Sequence, residues 1–461
     1  MARIRNDERD PSPSILGERD NTMQPQIKWV ANKMPKSADE NLPIMSEENV
    51  EVARAFHASF PQYDVTPLAK LGGMAAYLGL GGLFVKDESY RFGLNAFKVL
   101  GGSFAMARYI AEETGKDVAE CDFAYLTSER LHEDFGQATF FTATDGNHGR
   151  GVAWAANRLG QKAVVRMPKG SVKSRFDNIA KEGAEVSIEE LNYDDCVRMA
   201  AKEAGGTEHG VIVQDTAWDG YEKVPSWIMQ GYGTMAAEAA EQLRAEGVDR
   251  PTHVFVQAGV GSLASAMVGY FANLYADDPP KFVIMEAGAA DCLYQGALAA
   301  DGEPRIVGGD LVTIMSGLAC GEPNTIGWDI LRNHATAFSS CPDWVAAKGM
   351  RMLSAPVKGD PQVVSGESGA VGMGVISSIM LDDAYAELRE LLGLGADSQV
   401  LLFSTEGDTD PERYRDIVWG GMMDGGGSRS SLHAMTNGTR PHPSLSLHAI
   451  KNGTRPSSST G

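Results

Sequence analysis

The chain has few of the features that mark secreted, zinc-bound or membrane proteins. Its 461 residues include five cysteines, an odd number without a Cys-X-X-Cys pair, so neither a disulfide framework nor a zinc site is expected. The first ten residues are mostly polar and lack the apolar core of a secretory signal, and no apolar run is long enough to span a bilayer. These absences favour a reducing, cytoplasmic setting and no bound metal.

Basic charge is scarce as well. The chain carries 41 Lys and Arg against 61 Asp and Glu, a formal net charge of −20. Because nucleic acids and anionic membranes are bound through basic surfaces, neither is expected as a partner. A small anionic ligand remains compatible with this balance, since a local site can be positive in an acidic protein.

Short apolar runs alternate along the chain with segments of helix length. The runs that are typical of strands lie at 83–87, 138–143, 163–167, 210–213, 252–256, 281–285 and 399–403. Helical periodicity lies between them, for example at 149–159 and 171–183. Since continuous Val, Ile and Phe runs between helices indicate buried parallel strands, the sequence predicts an α/β fold built on one open, doubly wound sheet or on two.

One lysine, Lys98, lies between an Asn- and Gly-rich turn and an amphipathic run at 99–110. This pattern predicts that Lys98 occupies the first turn of a helix, among the apolar side chains of Phe97, Val99 and Leu100. Burial and the positive end of a helix both lower the pKa of a lysine. A neutral lysine can bind an aldehyde cofactor covalently. The simpler alternative is a lysine whose stem packs beside a core helix.

The run 142–151 follows a predicted strand and opens a predicted helix. Such a turn lies at the carboxyl end of a parallel strand, where open α/β sheets bind ligands, and its glycines let the backbone approach a small molecule. A helix cap would explain Asp145 alone, but it would not explain Asn147 and His148.

A glycine-rich turn at 257–264 also lies between a predicted strand and a predicted helix. Backbone N–H groups at a helix start bind anions, which favours a phosphate site near Gly259 and Gly261. The spacing also fits a dinucleotide-binding turn, with Glu286 as the acidic contact to the ribose. Taken alone, this turn favours a nicotinamide oxidoreductase.

The fourth informative stretch begins at Ser404, where the strand-like run 399–403 leads into a polar turn that extends to Asp410. A hydroxyl at this point serves equally well as a ligand contact or as the first residue of the turn.

In their order along the chain, the four stretches resemble the fold type II pyridoxal-phosphate enzymes, the family of threonine dehydratase, serine racemase and tryptophan synthase β chain. The resemblance covers about residues 60 to 415. It implies two open, twisted, mostly parallel sheets flanked by helices, an active site between the domains, and pyridoxal 5′-phosphate as cofactor. It implies that Lys98 holds the cofactor covalently, that Asn147 bonds its phenolic oxygen and that Ser404 meets its pyridine nitrogen. The residues implied to hold the phosphate are Gly259, Val260, Gly261, Ser262 and Leu263.

Asp145 departs from the common family pattern, in which a serine precedes the Gly-Asn-His string. With the runs 93–98, 145–151 and 213–218, the sequence is similar to the ammonia-lyase branch, whose members convert both enantiomers of 2,3-diaminopropionate to pyruvate and ammonia. This implies that Lys98 is the base for the L-isomer and Asp145 the base for the D-isomer.

The same resemblance implies that Asp215 acts on the leaving amine, although a helix cap is the alternative role for this residue. Thr144, Gly146 and His148 are expected to bind the substrate carboxylate. Three other functions stay open: a serine or threonine dehydratase of the same fold, an NAD-dependent oxidoreductase, and an inactive binding protein with this fold.

The domain boundaries follow from composition and from the resemblance. A large cofactor-binding domain is expected at 41–100 and 225–423, and a small domain at 101–224. Residues 1–40 are polar and charged and are expected to form a flexible extension. Residues 424–461 contain a 15-residue repeat, begun at Ser431 and again at Ser446, and are expected to be disordered. The family resemblance also implies a homodimer.

Overall fold

Two β-sheets organise the part of the chain that the computed structural model describes, which is residues 25–144 and 146–423 apart from the side chain of Asp194. The strands are β1 Lys28–Ala31, β2 Leu68–Lys70, β3 Gly82–Asp87, β4 Thr139–Ala143, β5 Lys162–Met167, β6 Glu185–Ile188, β7 Gly210–Ile212, β8 His253–Gln257, β9 Lys281–Ala287, β10 Ala337–Cys341 and β11 Gln399–Ser404. The larger sheet has the order β1-β10-β9-β8-β11-β3-β2, and the smaller has the order β6-β5-β4-β7. Pairing is parallel except at the two edges of the larger sheet, where β1 and β2 run antiparallel to their neighbours. The predicted fold class is confirmed.

Helices flank both sheets. Within the described residues they are α1 Glu47–Ala58, α2 Gly72–Leu78, α3 Val99–Thr114, α4 Phe123–Leu126, α5 Glu129–Asp134, α6 Asn147–Arg158, α7 Lys173–Lys181, α8 Tyr193–Gly205, α9 Lys223–Ala245, α10 Ser262–Leu274, α11 Cys292–Ala299, α12 Thr325–His334, α13 Asp343–Ser354, α14 Glu367–Leu381, α15 Ala386–Leu392 and α16 Pro411–Val418. Short 3₁₀ helices lie at Leu42–Met45, Glu88–Gly93, Val118–Glu120, Ser316–Leu318 and Asp383–Tyr385. None of these helices is both long and apolar enough to cross a membrane.

The seven predicted strand runs coincide with β3, β4, β5, β7, β8, β9 and β11, whereas β1, β2, β6 and β10 were not predicted. Three of the missed strands, β1, β2 and β6, are short edge strands, which pair with one neighbour only and have a weak apolar signal. The missed strand β10 is fully buried, but its Ala-Phe-Ser-Ser-Cys sequence has too few branched apolar residues to be recognised as a strand.

The prediction of a flexible extension over residues 1–40 is wrong for its described part, residues 25–40. Strand β1 pairs with β10, with Lys28 opposite Ser340. The N–H of Ile27, a buried residue, donates a hydrogen bond of 3.1 Å to the hydroxyl of Tyr385. An edge of the sheet can order a polar segment through backbone hydrogen bonds, which composition does not reveal. Residues 1–24 and the repeat-bearing tail 424–461 lie outside the described residues.

The division into a large and a small domain stays a prediction. All four strands of the smaller sheet, β4 to β7, fall within the range 101–224 that was assigned to the small domain.

Close packing around the start of α3 places Lys98 between elements of the two sheets. A Cβ atom at Gly151 would lie 2.7 Å from the backbone nitrogen of Val99, and one at Gly231 would lie 2.4 Å from the carbonyl oxygen of Leu100. Only glycine allows such approaches. Helices α6 and α9 therefore press against the first turn of α3, where the predicted cofactor lysine lies.

A buried ionic cluster fixes the segment that leads to Lys98. Arg91, in the 3₁₀ helix before α3, pairs with Glu88 at 2.8 Å and with Glu238 of α9 at 2.7 Å. Lys86 at the end of β3 pairs with the same Glu238 at 2.7 Å. Because removing one partner would leave an uncompensated buried charge, a cost of roughly 3–5 kcal/mol, the cluster ties this segment firmly to α9.

Candidate active site

A cavity opens where strands of both sheets end. Its larger part has a volume of about 320 Å³ and its smaller part about 50 Å³. Lys98, Asn147, Asp215 and Glu406 line both parts, so the two form one continuous site. The combined volume falls in the usual range for a small-molecule site.

Lys98 immediately precedes α3 as its N-cap residue, which confirms the predicted position at a helix start. Its Nζ lies 2.5 Å from Oδ2 of Asp215, and 22% of its side chain is exposed. The sequence predicts apolar surroundings and a neutral lysine, but a carboxylate at this distance favours the ammonium form.

Asp215 is a buried carboxylate with several partners. Burial would raise its pKa, but the charge of Lys98 and the hydrogen bond from Lys98 hold that pKa well below its ordinary value. The hydroxyl of Tyr232 also donates to Oδ2, at 3.4 Å. No helix begins directly after Asp215, because the next helix, α9, starts eight residues later at Lys223. The alternative role of Asp215 as a helix cap is therefore wrong.

His148 lies in the first turn of α6 and is buried beside Asp215. Its Nε2 lies 2.8 Å from the carbonyl oxygen of Val213, which only accepts, so Nε2 carries the hydrogen. Burial lowers the pKa of His148, and the neutral ring then presents a lone pair at Nδ1, which lies 4.0 Å from Oδ2 of Asp215. A lone pair suits an ammonium group better than the substrate carboxylate predicted for this residue.

The loop between β4 and α6 lines the larger part of the cavity through Thr144, Gly146 and Asn147. The backbone N–H of Gly146 donates to Oγ1 of Thr144 at 3.1 Å, and the N–H of Thr144 donates to the carbonyl oxygen of Arg166 at 3.1 Å. The loop is thus tied to β5. Asp145 lies outside the described residues, and its role as a base stays a prediction.

Glu406 is a cavity residue that the sequence did not indicate. Its Oε2 accepts a hydrogen bond of 2.6 Å from Nδ2 of Asn147, and its Oε1 accepts one of 3.2 Å from the backbone N–H of Ser368. The residue is 7% exposed. Asn147 lies after β4 of the smaller sheet and Glu406 lies after β11 of the larger sheet, so this contact joins the two parts across the site.

The predicted phosphate turn lies at the start of α10 and lines the smaller part of the cavity. Gly261 has a φ of +104°, a conformation that favours glycine, and the carbonyl oxygen of Val260 accepts the N–H of Asn324 at 2.7 Å. The first N–H groups of a helix have no partner within the helix, so a turn of this kind offers donors to a phosphate. The hydroxyl of Ser262 is already bonded to the carbonyl oxygen of Asp215.

Ser404 does not line the cavity, whereas the next residue, Thr405, does. Its fully buried hydroxyl donates to Oγ of Ser365 at 2.8 Å. Thr405 lines the smaller part instead, and its hydroxyl accepts from Nε2 of Gln257 at 2.8 Å. Successive residues of an extended segment point to opposite sides, so Thr405 faces the cavity and the hydroxyl of Ser404 points away from it. The contact of Ser404 with the pyridine nitrogen stays a prediction, which this orientation does not support.

Glu286 does not line this cavity. It is fully buried, and its carboxyl group accepts the backbone N–H groups of Leu293 at 2.9 Å and Tyr294 at 2.6 Å in the first turn of α11. Burial raises its pKa well above the ordinary value. The predicted contact to a ribose is therefore wrong, and the oxidoreductase alternative loses its acidic residue.

The residues that line the smaller part of the cavity suit pyridoxal 5′-phosphate. Oε1 of Gln257 and Oγ of Ser368 are buried there without a hydrogen-bond partner among the described residues. A buried polar group left unpaired costs roughly 1–3 kcal/mol, which a polar ligand would relieve. The turn at the start of α10 suits a phosphate, and Lys98 suits an aldehyde.

Comparison with known proteins agrees with this fit. The profile of the family described as pyridoxal-phosphate dependent enzyme matches residues 60–403. The chain belongs to this family. It is 52% identical over 368 residues to the diaminopropionate ammonia-lyase of Salmonella typhimurium, which covers 80% of this chain and 91% of that protein. It is 50% identical over 384 residues to the enzyme of the same description from Escherichia coli K12, which covers 83% of this chain and 94% of that protein.

A solved structure within the same family is also similar. The crystal structure of diaminopropionate ammonia lyase from Escherichia coli in complex with D-serine has a TM-score of 0.79 and 46% sequence identity to this chain. The match covers 86% of this chain and 98% of that one. The similarity therefore extends over both sheets and over the cavity between them.

Sequence reasoning missed four residues that line the pyridoxal-phosphate site: Gln257, Ser368, Thr405 and Glu406. Gln257 and Glu406 lie just where β8 and β11 end, in stretches that the sequence did single out, and their polar character at a strand end was an available signal. Ser368 carries no such signal, because it lies at the start of α14 and reaches the cavity only through the tertiary fold.

Proposed function

We propose that the chain catalyses the α,β-elimination of D- and L-2,3-diaminopropionate, which with water yields pyruvate and two molecules of ammonia. The ion pair between Lys98 and Asp215 carries this proposal, because it places an amine and an anionic carboxylate beside a phosphate-binding turn. The similarity to two ammonia-lyases over most of their lengths supports it.

Pyridoxal 5′-phosphate, when bound, supplies an electron sink that makes the α-hydrogen of an amino acid acidic. In the proposed site Lys98 holds it covalently, and the turn from Gly259 to Leu263 holds its phosphate. Asn147 donates to its phenolic oxygen. Thr405 would hold its pyridine nitrogen in place of Ser404, since Thr405 lines this part of the cavity.

Two bases account for the two enantiomers. The amine of Lys98 removes the α-proton of the L-isomer, and the carboxylate of Asp145 removes that of the D-isomer. A carboxylate is a better base than the serine common in this family at neutral pH. The neighbours of Asp145 in the chain, Thr144 and Gly146, both line the larger part of the cavity, which is consistent with a base on this loop.

Asp215 binds the amino group that leaves. Its low pKa keeps it anionic, so it attracts the β-ammonium of the substrate rather than donating a proton to it. The lone pair at Nδ1 of His148, 4.0 Å from Asp215, is a second acceptor for the same ammonium. Thr144 and Gly146 remain the proposed contacts of the substrate carboxylate.

A substrate panel tests this function. Purified protein is assayed for pyruvate with D- and L-diaminopropionate and with D- and L-serine, while the visible absorbance of the cofactor is followed. We expect rapid pyruvate formation from both diamino acids and slow formation from serine. A preference for serine would instead assign the chain as a dehydratase of the same fold, and cofactor absorbance without any turnover would assign it as a binding protein.

We also propose a homodimer in the cytoplasm, as the family resemblance and the cysteine usage imply. Light scattering of the purified protein should give twice the chain mass, and fractionation of the source cells should recover the activity with cytoplasmic markers. A monomeric mass or a membrane-bound activity would contradict the respective statement.

A further inference from the structure

Glu406 is held between two N–H donors inside the cavity. Its Oε2 lies 2.6 Å from Nδ2 of Asn147, and its Oε1 lies 3.2 Å from the backbone nitrogen of Ser368. Both partners donate, so both contacts are best made by the ionised carboxylate, which only accepts. Hydrogen bonds to a charged acceptor are also the stronger kind.

The main chain fixes Glu406 relative to the cofactor lysine. Glu406 forms an antiparallel bridge with Ala96, two residues before Lys98. The N–H of Phe97 donates to the carbonyl oxygen of Thr405 at 3.2 Å, and the N–H of Gly407 donates to that of Asn95 at 3.1 Å. The backbone of Glu406 is therefore tied to the segment that carries Lys98.

The contact with Glu406 decides the orientation of the Asn147 amide. An amide has a donor end and an acceptor end, and a carboxylate bonds only with the donor end. One hydrogen of the Asn147 NH₂ group is therefore used by Glu406, which leaves the second hydrogen of that nitrogen for a ligand. With the opposite orientation the Asn147 carbonyl oxygen would face the carboxylate, which is repulsive.

We propose that Glu406 is a positioning residue, which holds Asn147 as a hydrogen-bond donor toward the phenolic oxygen of pyridoxal 5′-phosphate. This rests on the proposed function for the identity of the cofactor, but not for the identity of the substrate. Glu406 acts through Asn147, so its removal should weaken and reorient the bound cofactor only while Asn147 is present.

A helix cap for α14, through the N–H of Ser368, is the competing role for Glu406. A cap alone does not require a second buried carboxyl group beside Glu367, the first residue of α14. Burial and the charge of Glu406 together raise the pKa of Glu367 to about 7, which shows that the pairing is costly. The contact with Asn147 explains why a charged residue occupies position 406, whereas capping of α14 does not.

A double-mutant cycle on the full chain tests the role. The variants are Glu406→Gln, Asn147→Ala and the double variant, with Glu367→Gln as a matched control that removes the neighbouring carboxyl group. The readouts are the dissociation constant of pyridoxal 5′-phosphate for the cofactor-free protein and the visible circular dichroism of the bound cofactor. Thermal unfolding confirms that each variant is folded, and Glu406→Asp, which shortens the side chain by one carbon, replaces Glu406→Gln if that variant does not fold.

We expect Glu406→Gln to weaken cofactor binding on the order of tenfold, the effect of losing one charge-assisted hydrogen bond, and to change the dichroism band. The double variant should bind no more weakly than Asn147→Ala, and Glu367→Gln should bind within about twofold of the wild type. Unchanged cofactor binding in Glu406→Gln would overturn the proposed role of Glu406 but not the proposed function. The same holds if the losses of affinity in the two single variants multiply in the double variant. A wild-type chain that binds no pyridoxal 5′-phosphate would overturn the proposed function as well.

Discussion

Nζ of Lys98 lies 2.5 Å from Oδ2 of Asp215, although 117 residues separate the two in the chain. Asp215 follows β7 of the smaller sheet, whereas Lys98 immediately precedes α3, against which α6 and α9 pack. The contact therefore forms only when the two sheets are assembled around the cavity. It gives Lys98 a nearby anion and gives Asp215 the charge that keeps it ionised.

Replacement of Lys98 tests the covalent attachment of the cofactor. Lys98→Ala should show no absorbance from a covalently held cofactor and no pyruvate formation, because no other amine lines the cavity among the described residues. The control Lys173→Ala, at an exposed position on α7, should keep both signals. Turnover of either enantiomer by Lys98→Ala would contradict the assignment.

Replacement of Asp145 tests the division of labour between two bases. Asp145→Asn keeps the size of the side chain and removes its basicity, so kcat for D-diaminopropionate should fall by about a hundredfold or more. The value for the L-isomer should change by less than about tenfold, because Lys98 serves that enantiomer. Initial rates of pyruvate formation with each isomer measure the difference, and an equal loss on both would make Asp145 a shared binding group.

Asp215→Asn tests recognition of the leaving amino group. A buried carboxylate that pairs with an ammonium contributes about 3 kcal/mol, so kcat/KM for diaminopropionate should fall by about a hundredfold. Serine carries a hydroxyl at the same carbon, and its slow turnover should change much less. Parallel measurements with both substrates give the ratio, and the same fractional loss for both would argue for a general structural role.

The register at the end of β11 can be tested with a pair of neighbouring variants. Thr405→Ala removes the hydroxyl that lines the cavity, and it should weaken cofactor binding by about tenfold and shift the cofactor absorbance. Ser404→Ala removes a hydroxyl that bonds Ser365, so it should lower the free energy of unfolding by about 1 kcal/mol and leave the absorbance unchanged. The reverse pattern would restore the sequence-based assignment of Ser404.

The raised pKa of Glu367 predicts a specific dependence of stability on pH. Burial, with the charge of Glu406 next in size, raises this pKa from 4.5 to about 7, although Arg413 lowers it in part. Between these two values the folded protein retains a proton that the unfolded chain has lost, so wild-type stability falls as pH rises through that window. Because Glu367→Gln has no carboxyl group to titrate at this position, its stability should not show this fall.

The free energy of unfolding of both proteins, measured with urea from pH 5 to pH 8, checks this dependence. The variant should gain about 2–3 kcal/mol over the wild type across the range. A difference between the two proteins that stays constant with pH would show that Glu367 does not titrate there.

The sequence predicts those parts of the fold whose signal is local. The buried strands β3, β4, β8, β9 and β11 are continuous apolar runs, and the turns that follow three of them supply the cavity residues. The edge strand β1 was missed because its order depends on pairing with β10, which is remote in the chain.

The parts of the site that the sequence could not reveal depend on long-range contacts. Asn147 and Glu406 are 259 residues apart, and their hydrogen bond requires both sheets to be in place. The choice between Ser404 and Thr405 depends on which side of one extended segment meets the cavity, and either hydroxyl satisfies the local pattern. Glu286 fitted a dinucleotide site by spacing, but the fold uses it to cap α11.

The most direct test of the account is the rate of pyruvate formation from D- and from L-2,3-diaminopropionate, measured with the purified protein and pyridoxal 5′-phosphate. We predict that both enantiomers yield one pyruvate and two ammonia per turnover, at rates well above those for D- and L-serine. Turnover of serine alone, or no pyruvate from either diamino acid, would contradict the account.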